Sequence, residues 1–442
     1  MKKRGVAGWL ALSVSLACAE PLPTLSLNDA LRIASGRNLQ ILAGAKEIER
    51  QESIWDATAA TRLPKVAVEA RHIRLLNPIS FNIAQGSLGS FPATGPIPSQ
   101  NIAISNVSGA QNSVQLTVTQ PLTQLHKITL NLEAQDQAIE DATQKNRGDS
   151  IQVAVQVQDA YLGLVDTQNA LIAAKDSLEF TREMERVTSE YLKEKTVLKA
   201  DLLDVQTSRA EQEAQLAILQ RAYQTQKEQL NYLLARDLHT DFVVQMPTVS
   251  REVSKTIEEL EAQAREQRPD LAQARARLKQ ALINTEIARA AYIPDMGIQF
   301  GYLHNGNSGL LPGTYLTVAL VATWDIFDWG GREANVEARA KQAEEVRLQT
   351  EDANQRAALD VAQKFRAVEN LRSQEAAKKL QVDAAEEHHR VALARYQVKA
   401  TLAQEVLNTQ AKLSSARRDY QKWQIDLAQS VAELYQAVGQ AP

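Results

Sequence analysis

The sequence predicts a mainly α-helical chain with a small β part, one that closes only as a trimer. Three observations predict it. Much of the chain occurs twice, each copy sets short alternating strands beside very long helical stretches, and no run of about eighteen apolar residues follows the N-terminus. Ser26-Leu27-Asn28-Asp29 returns as Thr256-Ile257-Glu258-Glu259, Ala34 as Ala264, Ile41 as Leu271 and Pro64 as Pro294. Further on, Thr119-Gln120-Pro121-Leu122 returns as Thr323-Trp324-Asp325-Ile326, and Asn131, Glu133 and Ala134 as Asn335, Glu337 and Ala338. A repeat of roughly 200 residues is too long for a solenoid unit and reads as a duplicated structural half. The expected division is a signal peptide at 1–19, a first repeat at 20–236, a linker at 237–255 and a second repeat at 256–442.

The N-terminus has the pattern of a secretory leader. Lys2, Lys3 and Arg4 precede an apolar stretch from Val6 to Ala17 that is too short for a stable span. Ala17-Cys18-Ala19 fits a small-residue cleavage site, with Glu20 as the mature end; the other reading makes Cys18 a lipidated first residue. Cys18 is the sole cysteine, so the mature fold has no disulfide. Without the three basic leader residues the net charge of −4 becomes −7, which argues against nucleic acid as a partner. With no apolar helix long enough, any membrane crossing must use strands.

Each half opens with a helix. Ser26 with Asp29 and Thr256 with Glu259 are start signals. One helix is expected from each signal to Pro64 or Pro294, because the residue before proline avoids helical geometry.

A strand pair follows. Val114, Leu116 and Val118 alternate with more polar residues, as do Met296, Ile298, Phe300 and Tyr302, and Leu316, Val318 and Leu320. The strand after Pro64 is the weakest of the four, since Arg71, His72 and Arg74 interrupt it. About Asn77 to Gln111, rich in Gly and Pro, reads as an exposed loop longer than its partner at Asn305 to Gly313.

Long helices come next. Arg332 to Val438 has neither Gly nor Pro, and Lys127 to Ala235 has only Gly148 and Gly163. Alanine, roughly one residue in seven, allows close coiled-coil-like packing. The runs starting at Tyr191 and Tyr396 are the expected helix–turn–helix tips. Lys127 to Lys195 and Gly331 to Lys399 would then be helices on the order of 100 Å long.

Four strands cannot close a barrel, and open edges are not tolerated in a bilayer. Three chains supply twelve strands, four per chain, and enough paired helices for the wall of a long α-helical barrel.

The run Trp324-Asp325-Ile326-Phe327-Asp328-Trp329-Gly330-Gly331-Arg332 resembles the strand-to-helix junction of TolC-like outer-membrane efflux proteins (outer membrane factors). Gln120-Pro121-Leu122 is its counterpart. Arg268-Pro269-Asp270-Leu271 is similar to the family's Asn-Pro-x-Leu helix start, which Asn38-Leu39-Gln40-Ile41 follows less well. Glu405-Val406-Leu407-Asn408 and Asp201-Leu202-Leu203-Asp204 resemble its tip segment. The resemblance covers essentially all the mature chain. It implies a homotrimeric exit duct of a tripartite efflux or type I secretion system, in contact with outer-membrane lipid. A periplasmic adaptor and an inner-membrane transporter would dock at the tips. It implies no cofactor and no enzymatic activity.

By the same resemblance the periplasmic aperture falls on Asp201, Asp204, Tyr396, Glu405 and Asn408, and the adaptor-contacting tips on Lys195, Thr196, Lys399 and Thr401. The family's gate arginine falls on Thr401 and its tip glycine on Lys399. The first half takes a one-residue insertion near Lys195, so the two tips are expected to differ by one residue.

Asp201, Asp204 and Glu405 also read as acids favoured at helix N-termini. Threefold symmetry would gather them into a cation-favouring carboxylate ring. His388-His389 reads as a solvated helix face rather than a metal site, because adjacent helical residues diverge by about 100°. Phe300, Tyr302 and Tyr315 are expected in an interfacial aromatic belt. No nucleophile–base set, phosphate loop or metal-spaced cluster supports catalysis. Two other readings are an exported coiled-coil structural or adhesive protein with a small β-domain, which leaves the duplicated strands unexplained, and a periplasmic adaptor, which would carry one helical hairpin rather than two.

Overall fold

A computed structural model describes residues 23–247, 255–306, 313–398 and 400–441. The leader with Cys18, positions 248–254 of the linker, most of the second strand loop and Lys399 lie outside the described residues. In chain order the elements are β1 (Thr24–Leu25), α1 (Leu27–Arg37), α2 (Leu39–Ala60), β2 (Lys65–Ile83), β3 (Ser90–Phe91), β4 (Gly95–Pro96), β5 (Ile102–Pro121), α3 (Gln124–Lys193) and α4 (Lys199–Leu233). Then follow β6 (Val243–Val244), α5 (Ile257–Gln267), α6 (Pro269–Ala290), β7 (Asp295–Asn305), β8 (Thr314–Thr323), α7 (Gly331–Ser373), α8 (Glu375–Gln397) and α9 (Ala403–Val438).

The opening helix of each half is two helices, not one. The breaks fall at Asn38 and Arg268, which are equivalent positions of the repeat. Arg268 is held extended (φ −65°, ψ 123°) by Pro269 behind it. Asn38 reaches a similar conformation (φ −59°, ψ 129°) without proline. Its side-chain oxygen accepts from the Gln40 N–H at 2.9 Å, which starts α2, and its amide donates to the Leu233 carbonyl at 2.9 Å. Ser26 caps α1 by accepting from the Asp29 N–H at 3.1 Å, as the start signal implied.

The chain forms two compact units, each taking material from both repeats. One gathers residues up to Ile41, Ser150–Ile257 and Val361 onward; the other gathers Leu42–Asp149 and Glu258–Asp360.

The second unit carries an antiparallel sheet in the order β2-β5-β7-β8. The weakest predicted strand is in fact 19 residues long, and β5 is 20. Arg71, His72 and Arg74 pair in register with Ser113, Asn112 and Ala110, so charged residues do not interrupt the ladder. A ladder needs only backbone groups, and both faces of this stretch are open to other surroundings. The expected loop from Asn77 shrinks accordingly, and a short β3–β4 hairpin lies inside it.

Register sorts the side chains. Val66, Val118, Phe300 and Val318 lie in one cross-strand row, and Val68, Leu116, Tyr302 and Leu316 in the next, all on one face. Glu69, Gln115 and Leu303 with Tyr315, and Ala67, Thr117, Gly301 and Thr317, form rows on the other. Tyr315 therefore leaves the expected belt: it sits one residue out of phase with Phe300 and Tyr302, and period two puts it on the opposite face.

Strand β8 turns into α7 through Trp329 (φ 59°) and Gly330 (φ 84°), two successive left-handed residues. Asp328 then caps α7, its carboxylate accepting from the Arg332 N–H at 2.7 Å. In the first half Thr123 instead ties the strand-to-helix junction to the start of β7. Its hydroxyl donates to the Pro294 carbonyl at 2.7 Å and accepts from the Met296 N–H at 2.8 Å.

The first unit is helical. Its main core packs Ala30 and Ala34 of α1 against Val153, Val157, Tyr161 and Leu164 of α3 and Leu230 of α4. Helix α3 runs 70 residues unbroken despite Gly148 and Gly163. Its expected partner breaks at Gln374 into α7 and α8. There the Leu371 carbonyl accepts the Gln374 N–H at 3.1 Å, a three-residue step, and the Trp423 indole N–H at 2.8 Å. The indole takes acceptor capacity that a continuous helix would use itself.

Candidate functional site

Helix α3 ends in a left-handed residue, Lys195 (φ 57°). The Lys195 N–H donates to the Leu192 carbonyl and the Thr196 N–H to the Tyr191 carbonyl, both at 3.0 Å, which satisfies the terminal carbonyls. Glycine is the usual choice for such a position; lysine adopts it at a cost of about 1 kcal/mol. In the second tip the Ala400 N–H donates to the Arg395 carbonyl at 2.8 Å, the same pattern. Both return helices start after an extended leucine, Leu198 (φ −86°, ψ 158°) and Leu402 (φ −84°, ψ 155°). Over their described residues the two turns thus correspond position for position. The expected one-residue difference is absent, because Lys195 takes the left-handed bend without an extra residue.

Between the tips lies a cavity of about 520 Å³. Tyr191, Lys195, Thr196, Asp201, Tyr396 and Thr401 are among its lining residues. A small core supports it: Met184, Val205, Tyr396, Ala403 and Val406 are buried, with Phe180, Val187 and Tyr191 packed around them. Tyr396 is 4% exposed. Its hydroxyl shares a 3.1 Å hydrogen bond with Thr188 Oγ1, and its ring lies 5.9 Å from that of Tyr191. Burial pushes the Tyr396 phenol above its ordinary value; Tyr191 and Asp201 push the same way, and the Thr188 bond opposes them.

Asp201 caps α4, its carboxylate accepting from the Leu198 N–H at 2.8 Å. The helix-start reading of this acid is therefore realised in the geometry. The structure brings Tyr396, Asp201, Lys195, Thr196 and Thr401 to one cavity. It leaves Asp204, Glu405 and Asn408 exposed on the first turns of α4 and α9, where the Gln404 amide donates to Asn408 Oδ1 at 3.3 Å. Lys399 lies outside the described residues.

Sequence reasoning missed Thr188. The signal was the stripe Phe180, Met184, Val187 and Tyr191 at helical spacing, which marks the face of α3 that also carries Thr188. His389 is also corrected. It is half-buried in a seam, with its ring edge-on to Phe180 at 5.5 Å and its Nδ1 3.3 Å from Thr409 Oγ1. His388 alone is on the solvated face. No group of three or more metal-ligating side chains occurs among the described residues. No helix among them is long and apolar enough to cross a membrane.

The chain thus joins an alternating antiparallel sheet with one apolar face to helical hairpins, the first of which ends at a return helix capped by Asp201. Residues 260–440 match the model of the family described as outer membrane efflux protein. The chain is 27% identical to the pyoverdine export outer membrane protein OpmQ of Pseudomonas putida over 174 residues, which is 39% of this chain and 37% of that protein's length. Its fold is similar to that of the outer-membrane channel OprN (TM-score 0.76, 18% identity, 93% of this chain and 89% of that one). It is similar also to the open state of the MtrE outer membrane channel of Neisseria gonorrhoeae (TM-score 0.75, 20% identity, 94% of this chain and 89% of that one). The match to that family covers residues 260–440, and the fold over 93–94% of the chain is the one seen in these solved outer-membrane channels.

Proposed function

We propose that three copies of this chain form the exit duct of a tripartite efflux or type I secretion system. The supporting observation is the sheet. Its order β2-β5-β7-β8 leaves β2 and β8 as edges among the described residues, with an apolar face beside a polar one. A bilayer forbids such edges, and joining β8 of one copy to β2 of the next removes all of them at twelve strands. The apolar face then meets lipid. Lys65, Glu69, Arg71, Gln115, Thr117 and Thr317 line a wet lumen.

The tips are the proposed periplasmic end. Tyr396 and Asp201 belong to the aperture, and Asp204, Glu405 and Asn408 to the return-helix turns beside it. Lys195, Thr196, Lys399 and Thr401 offer the surface for a periplasmic adaptor, which couples the duct to an inner-membrane transporter. The Pseudomonas putida relative is named for pyoverdine export. In this reading the cargo is set by the transporter, and the duct is passive.

The test is reconstitution. Purified protein should migrate as a heat-labile trimer and form discrete ion-conducting pores in planar bilayers. A monodisperse monomer that never conducts overturns the proposal.

A further inference from the structure

Three basic side chains, His72 and Arg74 of β2 and His304 of β7, occupy three successive cross-strand rows on one face of the sheet, the face that closure turns toward lipid. The register places Val66, Val68, Ala70, His72 and Arg74 of β2 on that face, with Val118, Leu116, Val114 and Asn112 of β5 opposite the first four. On β7 and β8 the same face carries Ile298, Phe300, Tyr302 and His304, opposite Leu320, Val318, Leu316 and Thr314. Each strand is therefore apolar near its junction with the helices and turns polar at the far end. His72, Arg74 and His304 are exposed there. Arg74 lies one pair before the ladder loses its regular register beyond Leu75 and Gly109.

The charge on this face is one-sided. Along these described strand positions it carries Arg74 and two histidines, with no Asp or Glu among them. On the opposite face of the same strand, Arg71 pairs with Glu69 at 2.6 Å. Arg74 forms no ion pair among the described residues. Both imidazoles are held alike: His72 Nδ1 bonds Asn112 Oδ1 at 2.7 Å, and His304 Nδ1 bonds Thr314 Oγ1 at 2.8 Å. In each ring Nε2 remains for an outside partner. His72 and His304 are two strand steps of about 4.8 Å apart and one cross-strand row out of line, and the long Arg74 side chain starts one row further from the apolar band, so the three form a basic strip at its rim.

We propose that His72, Arg74 and His304 bind the phosphate of an anionic lipid headgroup at the outer edge of the membrane. The apolar rows below would receive its acyl chains, and Arg74 supplies a planar donor suited to phosphate. Binding on this face rests on the barrel reading above, because only closure turns the face toward lipid.

Native mass spectrometry of the full-length trimer tests it, using nanodiscs of phosphatidylcholine alone and of phosphatidylcholine with phosphatidylglycerol. Wild type should retain phosphatidylglycerol in preference to phosphatidylcholine, and added salt should weaken that preference. Combining His72→Gln, Arg74→Gln and His304→Gln should lower the preference by about tenfold. Arg71→Gln, on the lumen face of the same strand, should leave it unchanged. A wild-type trimer with no preference between the lipids overturns the proposal without needing any variant. A triple variant that retains phosphatidylglycerol as wild type does, or an Arg71→Gln protein that loses it equally, overturns it as well. Failure to form trimers or pores would instead count against the barrel reading, so the two failures are distinguishable.

Discussion

Thr188 of α3 and Tyr396 of α8 share a 3.1 Å hydrogen bond inside the tip core, although 208 positions separate them. The bond joins the first repeat to the second. Thr188 Oγ1 is also bonded to the Met184 carbonyl at 2.7 Å, so replacing the phenol leaves no buried orphan. Tyr396→Phe should therefore cost only about 0.5–1.5 kcal/mol, whereas Tyr396→Ala, which empties the core between Met184 and Val406, should cost about 3–5 kcal/mol. Thermal melting of the purified protein checks the order. If the tip also gates the pore, Tyr396→Phe should lengthen high-conductance dwell times in planar bilayers. Equal melting of both variants would show that the ring contributes little beyond its hydroxyl.

Much of this layout was legible because it rests on local rules applied twice. The Ser26 cap and the alternation in β7 and β8 each follow from a few neighbouring residues, whereas the break before Pro269, though equally local, falls inside the single helix expected from Thr256 to Pro294. The break at Asn38 was hidden, because it depends on a side chain reaching Leu233, which is close only after folding. The same holds for the break at Gln374, set by Trp423 on another helix. The length of β2 was hidden for a different reason. Arg71, His72 and Arg74 look like loop residues, because a ladder held by backbone groups leaves no mark in the side chains. At the site, the aperture residues came from resemblance, and Thr188 and Tyr191 emerged as Tyr396's partners only from packing.

Trp423 is 2% exposed, and its indole N–H holds the Leu371 carbonyl where α7 gives way to α8. Trp423→Phe keeps most of the ring but removes the donor. The Leu371 carbonyl is then free for the N–H four residues on, so α7 and α8 should become one straight helix in a structure of the variant. The expected stability loss is about 0.5–1.5 kcal/mol, against about 3–5 kcal/mol for Trp423→Ala. A break that persists in Trp423→Phe would assign it to some other cause.

His389 gives the tip region a dependence on acidity. Burial holds its imidazole below the ordinary value, and Arg417 adds to the effect. Phe180 and Thr409 touch the ring, and the Arg417 guanidinium is itself paired with Glu386 at 2.8 Å. A base whose folded pKa is lowered binds fewer protons folded than unfolded. Stability is therefore lost as pH falls below the unfolded value of about 6.5, and the loss stops below the folded one. His389→Phe keeps an aromatic ring against Phe180 and cannot titrate. Melting temperatures of the variant should change less than those of wild type across this window. Parallel curves would mean that the ring's protonation is not linked to folding.

Asp201 has two roles that substitutions can separate. Its carboxylate accepts the Leu198 N–H, and its charge faces the tip cavity. Asp201→Asn keeps an acceptor for the cap and removes the charge; Asp201→Ala removes both and should cost about 1 kcal/mol of helix stability. If three chains gather Asp201 and Glu405 into a carboxylate ring, pairing Asp201→Asn with Glu405→Gln should weaken divalent-cation block of the pore with melting near that of wild type. Block should weaken equally in Asp201→Ala with Glu405→Gln, now with lower stability. Cation block that survives in both double variants would leave Asp201 as a helix cap and Glu405 as a first-turn acid, because a ring that binds cations cannot lose its charges without losing its ions.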